Sequence, residues 1–65
     1  MKKIRIENKE VLTVLIGRIG TDRAVAINDK ADGRKISLVW DQDAEDRLQG
    51  VKFISDDGAV EVYHL

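Results

Sequence analysis

The sequence offers few side chains for nucleophilic catalysis. Its single histidine, His64, is the next-to-last residue, and the chain contains no cysteine. A serine becomes a nucleophile beside a base that titrates near neutrality, a role that histidine usually fills. Ser37 and Ser55 fall in segments with a strand pattern, and a Ser–His pair would depend on a residue at a fraying strand end. We therefore expect no catalytic residue and a protein that is not an enzyme.

A run of alternating carboxylates is similar to the start of a calcium-binding loop: Asp41, Asp43, Glu45 and Asp46. Such a loop needs glycine at its sixth position and glutamate at its twelfth, where this chain has Asp46 and Lys52. Acids in the first turn of a helix stabilise it by about 0.3 to 1 kcal/mol each. We therefore expect no metal site here, but a helix over residues 42–49 that Asp41 caps and Gly50 ends.

Two glycines, Gly17 and Gly20, have the spacing of a fragment of a phosphate-binding loop. The third glycine, the Lys-Ser/Thr ending and the helix that should follow are missing from the pattern. Glycines in a strand more often mark a bulge or a bend. The sequence thus predicts no cofactor.

Basic residues surround two of the predicted turns, and they are the candidates for nucleic-acid contacts: Arg18, Arg23, Arg34 and Lys35. Single-strand binding usually combines such charges with exposed aromatic rings. Trp40 and Phe53 are predicted to face inward, and a pI near 5.7 argues against indiscriminate binding to nucleic acid. An exposed Trp40 or Phe53 beside the basic loops would instead supply a stacking platform.

Length and composition are typical of one small domain over residues 1–65. The chain has 11 Lys plus Arg against 12 Asp plus Glu, a net charge of -1 and no proline. No apolar run approaches the roughly 18 residues that could span a bilayer, and none forms the apolar centre of a signal peptide. We therefore expect a cytoplasmic protein that does not enter membranes.

The last third of the chain has the pattern of a β-hairpin. Residues 51–56 and 59–65 are rich in strand-forming side chains, and Asp57-Gly58 between them is typical of a two-residue turn. That turn predicts a register in which Phe53 lies opposite Val62. One face of the hairpin then carries Val51, Phe53, Val60 and Val62.

The middle of the chain predicts a second hairpin, formed by residues 23–28 and 35–41. Ile36, Leu38 and Trp40 alternate along the second of these strands and should share its inner face. We expect a core in which the most buried residues are Val25, Ile27, Leu38, Trp40, Phe53 and Val62.

Residues 10–20 fit two structures. Val11, Leu12, Leu15, Ile16 and Ile19 have helical spacing, whereas the many β-branched residues and Gly17 favour a strand. With a strand here and another over residues 2–7, the prediction is a mainly β fold. It is a small antiparallel barrel or bent sheet of SH3-like or OB-like size, with five to six strands and one short helical turn. The alternative is an α+β fold with residues 9–19 helical.

In the strand interpretation, the second strand is apolar on both faces, and its outer face needs a cover. We expect this face to bind a protein partner or a second copy in a homodimer through Val11, Leu15, Ile19, Ala26 and Val39. The sequence thus predicts a small, non-enzymatic interaction module or subunit. The alternative function is a small nucleic-acid-binding regulator that uses the loop arginines and lysines.

Overall fold

The first half of the chain forms helices and the second half forms strands. The computed structural model describes residues 4–65 in this order: a 3-10 turn (Ile6–Asn8), α1 (Lys9–Ile19), α2 (Thr21–Ala31), β1 (Lys35–Trp40), β2 (Leu48–Ile54) and β3 (Val60–His64). The two α-helices pack on one face of an open antiparallel sheet of order β1-β2-β3. The predicted mainly β barrel is therefore wrong, and the fold is α+β with residues 9–19 helical.

α1 is a helix although it is rich in β-branched residues. Leu12 and Leu15 are buried, and Val11 and Ile19 pack beside them against the core. These positions form one stripe at the spacing of a helix. Burial of that stripe outweighs the helix propensities of single residues, which differ by only about 0.7 kcal/mol or less for ordinary residues.

α2 replaces the strand predicted over residues 23–28. Its inward residues, Ala24, Ile27, Asn28 and Ala31, recur at intervals of three and four, which is the spacing of a helix. One residue, Gly20, separates α2 from α1, with φ 92° and ψ 160°. This backbone region is essentially restricted to glycine, so Gly20 ends α1 and allows α2 to start at once.

The strand β1 pairs with β2 and not with residues 23–28, so the predicted middle hairpin is wrong. The connection from β1 to β2 is also not the helix predicted over residues 42–49. The carboxylate of Asp41 accepts a hydrogen bond from the backbone N–H of Asp43, which forms a turn, and β2 already begins at Leu48. A β-bulge then shifts the register, since Val39 pairs with Gly50 but Trp40 pairs with Leu48.

The C-terminal hairpin exists, but its predicted register is wrong by one residue. The N–H of Gly58 donates to the carbonyl of Ser55, and the N–H of Ser55 donates to the carbonyl of Ala59. With φ 91° at Gly58, this is a three-residue loop ending in a bulge rather than a two-residue turn. Phe53 therefore lies opposite Glu61 and not Val62, and every side chain of β3 changes face.

The core lies between the helices and the inner face of the sheet. It contains Leu12, Leu15, Ala24, Ile27, Ala31, Ile36, Val51 and Phe53. The predicted burial of Ile27 and Phe53 is confirmed, whereas Leu38 and Val25 are only half-buried. Trp40 and Val62 are 36% and 49% exposed, so their prediction as core residues is wrong. Trp40 is the last residue of β1, and Val62 is on the opposite face because of the register change.

The predicted strand over residues 2–7 lies partly outside the described residues. Within them, Ile6–Asn8 is a 3-10 turn, so the end of that prediction is wrong. Neither helix in residues 4–65 is long and apolar enough to cross a membrane.

Candidate protein-docking surface

The face of the sheet that points away from the helices is called the open face here. Side chains alternate between the two faces of a strand, and Ile36, Val51 and Phe53 point into the core. The registers of the two strand pairs then define the open face as Lys35, Ser37, Val39, Gly50, Lys52, Ile54, Val60, Val62 and His64.

The open face carries four aliphatic side chains and two lysines. Val60 and Val62 are 55% and 49% exposed, and Val39 and Ile54 are half-buried. Lys35 and Lys52 lie among them, and the strand positions that form this face include no carboxylate. A sheet face that neither a helix nor another sheet covers leaves apolar area in water, at about 25 cal/mol per Å².

β3 is exposed along its whole length and forms one edge of the sheet. Ser55 donates to Ala59 and Leu65 donates to Gln49, so residues 59 and 65 bond toward β2. Bonding direction alternates along an antiparallel strand. The backbone N–H and C=O groups of Val60, Val62 and His64 therefore point away from β2, where no other strand of residues 4–65 meets them.

The opposite edge is capped by a side chain at the start of β1. The Nδ2 of Asn8 donates to the carbonyl of Arg34 at 2.9 Å, and its Oδ1 accepts from the N–H of Ile36 at 2.8 Å. A single buried amide thus makes the two bonds that a neighbouring strand would make to residues 34 and 36. Asn8 holds the 3-10 turn against β1 and prevents another strand from pairing at that point.

On the helix side, β3 is held by Arg34 and Glu61. Arg34 donates to the carbonyls of Lys30 and Ala31 at the end of α2, and its Nη1 lies 2.9 Å from Oε1 of Glu61. Its guanidinium also lies 4.9 Å from the centre of the Phe53 ring. The hydrogen bond from Arg34 lowers the pKa of Glu61 below its usual value. Arg34 therefore connects the end of α2 with β2 and β3.

A shallow cleft of about 200 Å³ lies between α2 and β3. Its lining includes Arg23, Lys30, Tyr63 and Leu65. The ammonium of Lys30 lies 5.1 Å from the centre of the Tyr63 ring, within the range of a cation–π contact. The cleft opens beside the free edge of β3, so that edge has positive charge on its helix side.

The structure does not bring together the apolar docking residues predicted from the sequence. Leu15 is fully buried in the core, and Val11 and Ile19 are half-buried on the same helix. Ala26 is exposed on α2, and Val39 is the one member on the open face. The prediction of a single sheet face formed by these five residues is wrong, because residues 10–20 are helical and pack against their own sheet.

The four basic candidates are also separated. Arg34 is bonded to Glu61 and to the carbonyls of Lys30 and Ala31. Arg18 donates to the carbonyl of Asp46 and lies 5.1 Å from the centre of the Trp40 ring. Arg23 lines the cleft beside α2, and Lys35 is exposed at the start of β1. These residues do not form one continuous basic groove.

Trp40 is exposed, as a stacking platform for nucleic-acid bases requires. Two carboxylates, Asp41 and Asp43, line the same depression, however, and Arg18, the cation against the ring, donates to the carbonyl of Asp46. Nucleic-acid backbones need a positively charged track beside such rings.

In the described part of the chain, no cluster of three or more His, Asp or Glu side chains could hold a metal ion.

Comparisons with known proteins identify no relative of this chain. No protein-family model matches the chain, and no match is found among the curated proteins or the solved structures. The open face, the two edges and the cleft are therefore the features from which function is inferred. Sequence reasoning missed Asn8 and the outward side of β3, although the Gly58 bulge could have revealed the second.

Proposed function

We propose that this protein is a small, non-enzymatic interaction module that presents the open face of its sheet to a protein partner or to itself. The observation that carries the proposal is the exposure of aliphatic side chains on that face, above all Val60 and Val62. Sheets of this kind usually have polar outer faces, and contiguous apolar patches mark interaction sites.

Further support comes from the position of these residues. The helices already fill the inner face with the core, so the open face is not needed to complete the fold. Substitutions there should change binding without unfolding the protein. We also propose a cytoplasmic location, which the lack of cysteine and of a long apolar run in the sequence supports.

The alternative function, nucleic-acid regulation through Arg18, Arg23, Arg34 and Lys35, receives less support. Two of these guanidinium groups bond to backbone carbonyls of the protein itself, and the exposed tryptophan has acidic neighbours. Binding to DNA or RNA that weakens steeply as salt rises would favour this alternative.

Site-specific photo-crosslinking in living cells tests the proposal. A photoreactive phenylalanine analogue at Val60 samples the open face, and the same analogue at Ile6, which is 81% exposed in the 3-10 turn, is the matched control. We expect position 60 to form discrete adducts with one protein or with a second copy. A second substitution on the face, Ile54→Thr, should reduce those adducts.

Two results would contradict the proposal. One is an equal, diffuse set of adducts from positions 60 and 6. The other is a discrete adduct at position 60 that is unaffected by Ile54→Thr. Adducts with nucleic acid at Lys35 but not at Val60 would favour the alternative function.

A further inference from the structure

We infer that β3 pairs edge to edge with β3 of a second copy, in antiparallel orientation and with Val62 opposite Val62. Two sheets would then form one continuous sheet around a two-fold axis. The inference rests on the proposed function, because it names a second copy as a partner. It differs in using the backbone edge rather than the open face.

The backbone geometry sets the first condition. The groups that point away from β2 belong to Val60, Val62 and His64, so only these residues can exchange hydrogen bonds with a new strand. A second copy offers the same groups in the same order. With Val62 opposite Val62, each Val60 lies opposite His64 of the other copy, and all outward groups of both strands are paired.

Side-chain charge selects this register from the neighbouring ones. A shift that places Val60 opposite Val62 also places Glu61 opposite Glu61 of the second copy, and like charges in that position destabilise a sheet. The opposite shift leaves the backbone of Val60 without a partner on β3 of the second copy. The central register avoids both costs and places Glu61 opposite Tyr63.

The cleft supplies the complementary charge. Tyr63 has the ammonium of Lys30 over its ring, and Arg23 lines the same cleft. Glu61 of the second copy would enter beside these cations while its own Arg34 still holds it. By symmetry this contact occurs twice, so the acidic residue of each copy meets the basic cleft of the other.

The partly capped edge at β1 disfavours growth of the assembly beyond two copies. If both edges were free, β1 of one copy could pair with β3 of the next, and the contact would repeat without closing. Asn8 already occupies the carbonyl of Arg34 and the N–H of Ile36, so a strand that pairs with β1 would lose these two bonds. Pairing of β3 with β3 has no such loss, and it is a self-complementary contact.

The length of the edge sets the expected strength. β3 has 5 residues, and stable specific complexes bury at least about 1,200 Å² in total. A single pair of short strands falls below that area, so the dimer should be weak and should depend on concentration up to about 1 mM.

Sedimentation of the full chain across a concentration series, with two variants at one position, tests the backbone contact. Val62→Pro removes the outward N–H and leaves the bonds of β2 with Glu61 and Tyr63 in place, as edge strands tolerate. Val62→Thr keeps both the N–H and the β-branched shape, and it is the matched control. We expect the wild type and Val62→Thr to dimerise and Val62→Pro to stay monomeric.

A charge variant covers the case in which Val62→Pro does not fold. Lys30→Glu places a carboxylate beside Tyr63 of its own chain and beside Glu61 of the second copy. Because these two carboxylates repel each other, the dimer dissociation constant should rise about tenfold. Lys9→Glu makes the same charge change at the exposed start of α1 and should leave the dissociation constant unchanged. Added salt should reduce the difference between these variants.

Several outcomes overturn the inference. They are a wild type that stays monomeric up to about 1 mM, a folded Val62→Pro that dimerises like the wild type, and equal effects of Lys30→Glu and Lys9→Glu. If Ile54→Thr dissociates the dimer and Val62→Pro does not, the copies meet through their open faces. The proposed function then survives and the edge inference fails. Discrete adducts between position 60 and another protein would likewise support the proposed function without supporting the edge inference.

Discussion

The two edges of the sheet differ in how their backbone groups are satisfied. At β1, a side chain from the 3-10 turn takes the place of a strand, and the carbonyl of Arg34 and the N–H of Ile36 are both bonded. At β3, the outward groups of Val60, Val62 and His64 meet no other part of residues 4–65. The start of the β1 edge is thus bonded within the fold, whereas the edge of β3 is open along its length.

The core around β1 and β2 and the exposed strand β3 differ in a similar way. Around Phe53 and Ile36 both helices contribute to a closed core, whereas all five residues of β3 are exposed. Stability should therefore reside on the β1 side and binding on the β3 side. Substitutions on the two sides should separate these properties.

The largest expected effect is in the closed core. Phe53→Ala should lower the free energy of unfolding by about 3 to 5 kcal/mol, which is much of the stability of a domain this small. Val62→Ala, on the adjacent strand but on the open face, should cost less than about 1 kcal/mol. Urea denaturation measures both; similar losses would show that the two sides are not distinct.

Loss of the amide at the β1 edge should come next. Asn8→Ala leaves the buried N–H of Ile36 and the half-buried carbonyl of Arg34 without partners. An unpaired group costs about 1 to 3 kcal/mol when fully buried. Thr13→Ala removes a hydrogen bond of the same kind, from a side chain to the carbonyl of Lys9, at an exposed site, and should be close to neutral. Thermal melting of the two variants should differ clearly, and equal melting temperatures would contradict the role of Asn8.

The ion pair that holds β3 predicts a smaller, pH-dependent effect. Because Arg34 lowers the pKa of Glu61 from its ordinary 4.5, the pair adds stability above that value and loses it as pH falls through the lowered pKa. Glu61→Gln should therefore lose stability near neutral pH and differ less from the wild type in strong acid. An unchanged difference between pH 7 and acid would contradict this.

The smallest effect is expected at Trp40. Arg18→Ala removes the cation 5.1 Å from the ring centre, and should change stability by less than about 1 kcal/mol. Trp40 is the only tryptophan of the chain, so its fluorescence should shift although the melting temperature hardly moves. A large loss of stability instead would place Trp40 in the core.

Part of this fold could be predicted from the sequence, and the failures have physical causes. The strand patterns of β1 and of the C-terminal hairpin are recognisable because their side chains alternate. The register of β3 was missed because Asp-Gly fits both a two-residue turn and a longer loop, and one extra residue reverses the faces.

The sequence predicts α1 only as the alternative for residues 9–19, and it does not predict α2. Local propensity favoured strands at the β-branched residues of α1, and burial on the sheet overrode it. In α2, the spacing of Ala24, Ile27 and Ala31 was a usable signal that alternation obscured. The role of Asn8 could not be predicted, since it depends on bonds to residues 26 and 28 positions further along the chain.

Amide hydrogen exchange of the full chain at low and high protein concentration tests the difference between the edges most directly. The N–H of Ile36, bonded to Asn8, should be protected at both concentrations. The N–H groups of Val60 and Val62 should exchange freely in dilute solution and become protected as the protein is concentrated. Free exchange of Ile36, or protection of Val62 in dilute solution equal to that of Ile36, would contradict the account.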